Sequence, residues 1–373
     1  MGLRHAAARH PVNHGRRRAR RVAGSTVAAL AALSLLAPLP PGALIVWRGL
    51  YARSQPAISR ASARLPLATL DLWLLVLAGL GLWALWRRRA DWRLRWTIVP
   101  ALVVWTALAW LVFLAAWGWH YQVPTLETRL TIAPAALTPQ TGTRFAAMTV
   151  RALNRDHAAA HAAGWPTRAA MPIVLAPHLA RVLPALGVSW TPAWPVPRET
   201  LIDPYFRWAG IDGMTNPFGL DVVLNSRALP IEVPALTAHE YAHLAGFADE
   251  SDASVVAWLA CRDGGPPLRY SAALAVLPHL VAGLPGPLRR SVLDGLDEGP
   301  RADLRAIAAR LDEQRPWVHA LAWQTYDRFL KANRVGEGVA RYDAVARVLI
   351  AAADPVTGRL RRVPSQWPPA PGR

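Results

Sequence analysis

Three apolar runs crowd the first third of the chain, and beyond them the pattern changes to apolar positions recurring at helical spacing. The runs extend from Val22 to about Leu39, from Leu65 to Trp86 and from about Trp96 to Trp119. A bilayer's hydrocarbon core takes about 20 helical residues to cross, so the second and third runs have spanning length and the first lies at the lower edge of the range. Asp71 is the one acidic residue inside the second run, and tryptophans stand at both ends of the third, as interfacial belts do. Pro38, Pro40 and Pro41 follow the first run where a small-x-small cleavage site would mark a removable leader, so it reads as an uncleaved anchor. The segment 40–65 reads as a linker whose Trp47, Arg48, Tyr51 and Arg53 lie at the membrane surface.

Past residue 119 helical periodicity dominates: around Thr143 to Ala163, around residue 240, directly after it, and repeatedly from Ala272 to Ala353. Two pieces read as extended, 171–176 (MPIVLA) and 219–226 (GLDVVLNS). The apolar stretch from Ser271 to Leu288 is broken by Pro278, Pro285 and Pro287, which favours a buried helix pair over a fourth span.

Charge supports this layout. The chain has 373 residues, a hydrophobic fraction of 53% and a net charge of +18. Most of that charge flanks the apolar runs: seven arginines precede Val22, a cluster from Arg87 to Arg95 separates the second run from the third, and four more arginines lie in 40–65. Only about +4 is left beyond residue 118, with no nucleic-acid module there, so nucleic acid is not an expected partner. Basic residues mark cytoplasmic loops, which puts the tail 1–21 and the arginine cluster inside and everything after Trp119 outside. Cys261 is the sole cysteine, so no intrachain disulfide is possible.

The chemistry concentrates in HEYAHLAGFADE, His239 to Glu250. A step of four residues returns to nearly the same helix face, so His239 and His243 can offer two imidazole nitrogens to one metal while Glu240 stands beside them. This is the zinc-hydrolase pattern His-Glu-x-x-His, in which zinc keeps a position for a water molecule that a carboxylate deprotonates; Glu240 is the candidate base. Continued as one helix, residue 250 would lie roughly 10 Å along the axis from His243, against a zinc bond of about 2 Å. The helix must therefore end, and Gly246 can end it, folding Asp249, Glu250 or Asp252 back toward the metal. The same carboxylates also suit the N-terminus of a following helix. His-x-x-Gly-x-x-Asp after the first His-Glu also fits the metzincin spacing with Asp249 as ligand, but that group needs a methionine turn downstream, and Met1, Met148, Met171 and Met214 all lie upstream. A second histidine pair, His157 and His161 in DHAAAH, has the same spacing with alanines between and reads as an exposed helix face. Tyr270, Tyr342, His279 and His319 are candidates for stabilising charge on a substrate carbonyl oxygen.

Several separated blocks together resemble a family of bacterial multi-spanning membrane proteins catalogued as a domain of unknown function and classed by motif as zinc-binding metallopeptidases. The blocks are AWGWHYQVPTLETRL after the third run, GMTNPFGLDVVLNSRALP, HEYAHLAGFADESDAS, LRYSAAL, and YDRFLKANRVGEGVARYDAVARVLI. The resemblance implies that Glu250 is the third zinc ligand, as in glutamate zincins that carry Asp four residues later. Here that position is Ser254, whose hydroxyl can still hydrogen-bond a ligand, less strongly than a carboxylate. The expected architecture is mostly α, with three N-terminal transmembrane helices followed by an α-rich zincin-like domain with a small β-sheet. In residue terms this is a basic cytoplasmic tail (1–21), a membrane region (22–119), an extracytoplasmic metallopeptidase domain (120–353) and a Pro-rich tail (354–373). The expected function is hydrolysis of peptide or protein substrates beside the lipid bilayer, with Zn2+ on His239, His243 and Glu250 and with Glu240 activating the water. The alternative is a non-catalytic, zinc-stabilised membrane sensor or scaffold. Against it, structural zinc prefers four protein ligands, often cysteines, and such a site has no need of Glu240.

Overall fold

Of the segments around the apolar runs, 40–65 departs most from its expected form. In the computed structural model, which describes residues 24–29, 31–32, 38–88, 98–130, 137–333 and 344–354, it is a 23-residue helix, α1 (Pro41–Ala63). Leu44, Trp47, Tyr51, Gln55, Ser59 and Ser62 recur at steps of three and four and form its buried stripe. The aromatic residues read as surface anchors are therefore packing residues. The polar members of the stripe bond to backbone elsewhere: the Tyr51 hydroxyl donates to the Leu244 carbonyl at 3.0 Å, and Gln55 bonds both the N–H (2.9 Å) and the carbonyl (3.1 Å) of Ala193.

Two apolar helices follow, α2 (Thr69–Arg88) and α3 (Ile98–Ala116). Trp73, Leu75, Val76, Leu77, Leu80, Leu82 and Trp83 of α2, and Val103, Trp105, Leu108 and Val112 of α3, are exposed. At the start of α2 the Thr69 N–H donates to Asp221 at 2.9 Å, and Asp71, the acid inside the second apolar run, accepts from the Leu201 N–H at 3.0 Å and from the Thr200 hydroxyl. Among the described residues no single helix is long and apolar enough to cross a membrane; Val103–Ala116 and Gly118–Arg129 meet that test only together, across a 62° bend. The tail 1–21, most of the first apolar run, residues 89–95 of the arginine cluster and the C-terminal 355–373 lie outside the described residues.

Among the described residues that follow, the regular elements are helices apart from one hairpin. In order come α4 (Leu126–Arg129), α5 (Pro139–Ala163), α6 (Met171–Val182), α7 (Asp203–Ala209), β1 (Gly213–Asn216), β2 (Asp221–Leu224), α8 (Val233–Leu244), α9 (Glu250–Arg262), α10 (Pro266–Ala282), α11 (Gly286–Asp294), α12 (Glu298–Leu311), α13 (Pro316–Ala332) and α14 (Ala344–Ala352). Residues 171–176, expected as a strand, belong to α6. The adjacent β-branched Ile173 and Val174 favour extended chain locally, but Met171, Leu175 and Leu179 recur every four residues and are all buried, while Ile173 is 81% exposed. Strand alternation would have put Ile173 inside with Met171 and Leu175.

The second expected strand forms as β2. It pairs antiparallel with β1, Met214 opposite Val223 and Thr215 opposite Val222. Its other side is covered by Arg198, whose N–H donates to the Val222 carbonyl at 2.9 Å and whose carbonyl accepts from the Leu224 N–H at 2.8 Å. All four β2 residues are buried, and β1 is the outer strand. Of the helix pair expected from Ser271, α10 is buried and runs through Pro278, whereas α11, which begins at Gly286, buries only Val292. One continuous core joins α5, α6, α8, α9, α10 and α14, with fully buried Leu153, Leu175, Leu244, Val256, Tyr270 and Val348.

Candidate metal centre

Helix α8 carries the motif, and its surroundings explain why it is so apolar: ten of its twelve residues are buried. Pro234 stands in its first turn, where a missing N–H costs nothing. The next orphan donor, the Ala235 N–H, reaches the Ser271 hydroxyl at 3.1 Å. At the other end Gly246 takes φ +97°, its N–H bonds the His243 carbonyl at 2.8 Å, and the Phe247 N–H bonds the Ala242 carbonyl at 3.1 Å. These are the paired bonds of a Schellman stop. The chain turns sharply, Asp249 caps the next helix, and Glu250 is the first residue of α9.

This turn brings Glu250 back onto α8. Glu250 Oε2 lies 3.0 Å from His239 Nε2 and 3.5 Å from His243 Nε2. Ligand atoms at about 2 Å from a tetrahedral zinc stand about 3.3 Å apart, and the two observed separations bracket that value. Each imidazole is also held by its far nitrogen. His243 Nδ1 is 2.6 Å from the Phe247 carbonyl oxygen, and His239 Nδ1 is 3.2 Å from Ser254 Oγ. A proton on each Nδ1 satisfies these partners and leaves both Nε2 atoms to face the carboxylate, where a metal would take the place of the protons they share with it. Two imidazoles and one carboxylate make a donor set that suits zinc and leaves a fourth position open.

Burial raises the charge cost of this group and mutual attraction offsets it. Burial pushes Glu250 up, but His243 and His239 outweigh it and hold the carboxyl well below its usual range. Burial alone would lower His243, yet Glu250 raises it to about 9. Glu240 is displaced upward, chiefly by burial, against the pull of His243 and His239. It is 5% exposed, and the Thr215 hydroxyl lies 2.9 Å from its Oε2. Gly213 and Thr215 share the β1 face toward α8; a Cβ at residue 213 would sit 2.6 Å from Glu240 Oε1. The strand thus leaves room for the carboxylate at one residue and bonds it at the next on that face.

The other acids near the motif serve the backbone. Asp249 accepts from the Ser251 (3.1 Å) and Asp252 (3.3 Å) N–H groups, and Asp252 accepts from the Leu126 N–H at 2.9 and 3.0 Å. Sequence reasoning missed Tyr326, whose hydroxyl on α13 donates to Glu250 Oε1; its only signal was membership of the YDRF block. Thr215 was overlooked too, although it stands two residues after Gly213 on a strand just before the motif. Of the carbonyl-stabilising candidates, Tyr270 donates to Asp303 and His319 Nδ1 lies 2.9 Å from the Ala209 carbonyl oxygen. His279 is on α10, and Tyr342 lies outside the described residues.

Comparison with curated proteins and with solved structures gave no match. The model of one family, described as Protein of unknown function (DUF3810), matches residues 47–350, from within α1 to within α14 and across the whole candidate metal centre. With more than four fifths of its length matched, the chain belongs to that family of unknown function.

Proposed function

We propose that the protein is a membrane-anchored zinc metallopeptidase that hydrolyses peptide bonds on the extracytoplasmic side. The observation that carries this reading is the convergence of His239 Nε2, His243 Nε2 and Glu250 Oε2, with both Nδ1 atoms already engaged and a buried carboxylate next to them. In this reading the three residues hold zinc, which supplies a Lewis acid and brings the pKa of water to about 7. Glu240 takes the proton from the attacking water and passes it to the leaving amine. Its raised pKa suits the second half of that task, and the Thr215 hydroxyl keeps the carboxylate aimed. Tyr326 and Ser254 fix the orientation of Glu250 and His239. The outer strand β1, which carries Thr215, offers its edge for an extended peptide to pair with.

Anchoring is supported by α2 and α3, which expose leucine, valine and tryptophan around their surfaces, and by the arginines flanking them. On that support we read 22–119 as a membrane region with three transmembrane helices, the first of them from sequence alone, and 120–353 as an extracytoplasmic domain.

The test uses the full chain in detergent, with metal analysis and a quenched-fluorescent peptide library. Glu240→Gln should keep zinc and lose peptide hydrolysis by about 10²- to 10⁴-fold, the usual contribution of a general base. Zinc-loaded wild type that cleaves nothing in the library would favour the sensor or scaffold instead, and cleavage undiminished in Glu240→Gln would remove Glu240 from its role.

A further inference from the structure

The DHAAAH pair does not stand alone in the fold. His157 and His161 lie one turn apart on α5, ring centroids 4.4 Å from each other, and Asp303 of α12, 142 residues beyond His161, reaches both. A single carboxylate oxygen, Asp303 Oδ2, lies 2.9 Å from His161 Nε2 and 3.7 Å from His157 Nε2, and accepts the Tyr270 hydroxyl of α10 at 2.6 Å. One ligand atom from each of the three residues lies within 4.8 Å of the others. We propose that His157, His161 and Asp303 form a second divalent-metal site, for a borderline ion such as zinc.

An ordinary ion pair accounts for His161 and Asp303 but not for the second imidazole presenting its Nε2 to the same oxygen. One cation shared by two Nε2 atoms and a carboxylate oxygen accounts for all three groups turning to one point. The surroundings hold that arrangement. Residue 299, in the first turn of α12, is glycine where any Cβ would fall 2.4 Å from the His157 ring, so the helix can lie against the imidazole. Trp165 meets the His161 ring edge-on at 5.6 Å, and Tyr270 stands 5.7 Å from His157. The centre repeats the plan of the first: two histidines four residues apart, a carboxylate from another helix, and a tyrosine hydroxyl on that carboxylate. It differs in one chemical respect, since Ala158 stands where the first centre has Glu240. With no base beside it, this second metal clamps α5, α10 and α12 together and does not hydrolyse. The side chains of His157 and His161 are 28% and 41% exposed, so the ion can enter from solvent.

The experiment is a cobalt(II) and zinc titration of the chelator-stripped full chain in detergent. Wild type should take two equivalents, the His157→Ala/His161→Ala variant one, and His239→Ala one, with only the last losing occupancy at the first centre. Asp303→Asn, a gentler change, should weaken the second equivalent at least tenfold while far-ultraviolet circular dichroism stays unchanged. A wild type that binds a single equivalent, lost in His239→Ala and untouched in His157→Ala/His161→Ala, overturns the proposal. So does a second equivalent that survives all three changes at 157, 161 and 303. One equivalent retained in His239→Ala and lost in the 157/161 variant supports it and refutes the first centre instead.

Discussion

Gly246→Ala probes the bend on which the proposed metal centre depends. The residue sits at φ +97°, where an L side chain is strained by about 1–2 kcal/mol. The added methyl would also fall 2.9 Å from His120 Cε1 and 3.1 Å from its Nδ1, against ordinary contacts of about 3.5–4.0 Å. His120 cannot swing aside, because its ring is wedged against Tyr51 (4.3 Å), Trp47 (4.6 Å) and Trp117 (4.9 Å). Overpacking such a site costs about 1–3 kcal/mol, so the substitution should destabilise the fold by about 2–5 kcal/mol in all. At about 2–4 °C per kcal/mol for a domain of this size, the melting temperature of the metal-free protein should fall by about 4–20 °C. Zinc affinity should fall too, since Glu250 follows the bend by four residues. Gly283→Ala is the control: φ is −79° there and nothing lies within 4 Å of the added atom, so it should be neutral or stabilising by about 0.4–1 kcal/mol. Differential scanning fluorimetry of both variants decides. If Gly246→Ala melts with Gly283→Ala, the left-handed stop and the His120 contact are not what end α8.

Tyr326→Phe removes the hydroxyl that holds Glu250 and should weaken zinc binding by about 10- to 100-fold; a chromophoric chelator competing for the metal reads this directly, and unchanged affinity would make the contact incidental. Zinc uptake at pH 7.5 should release about one proton, because His243 with a pKa near 9 is protonated in the metal-free protein and must bind as neutral imidazole. Calorimetry in two buffers of different ionisation enthalpy measures that, and equal heats would contradict it. The same shift has a stability sign. His243 is raised above its ordinary 6.5, so its contribution to the metal-free fold is complete below about pH 6.5 and lost as pH rises through about 9. Glu250 is lowered, so its contribution is present above about pH 4.5 and lost as pH falls through its depressed value. The gap in melting temperature between zinc-loaded and stripped protein should therefore widen from pH 6.5 to 9.

Much of the candidate centre is legible in the sequence, because the interactions involved are local. The i, i+4 histidines and the glycine stop act over a few residues, through backbone dihedrals that do not depend on the rest of the molecule. The same holds for β2, bounded by Gly219 and Asn225, and for the break between α10 and α11 ahead of Pro285, although Pro278 is carried inside α10. Reading failed where a short window was ambiguous, as at 171–176, where two β-branched residues outvoted a period of four that only the full α6 displays. It failed again at 40–65: the buried stripe from Leu44 to Ser62 was present in the letters, but whether a stripe with arginines beside it faces lipid headgroups or protein depends on what covers it.

Composition and spacing by themselves determined that this chain is largely helical, that its basic charge flanks apolar segments, and that residues 239–250 form a helix, a stop and an acidic turn. Tertiary structure alone decided which of three carboxylates meets the histidines: Asp249 and Asp252 were taken by backbone N–H groups of the next helix and of α4, leaving Glu250 free to face them. It alone supplied Tyr326 from 76 residues downstream and Asp303 from 142 residues beyond His161. The reason is that a side chain's own neighbours set its direction, whereas the partner it meets is set by how helices pack, and packing is a sum over the whole core.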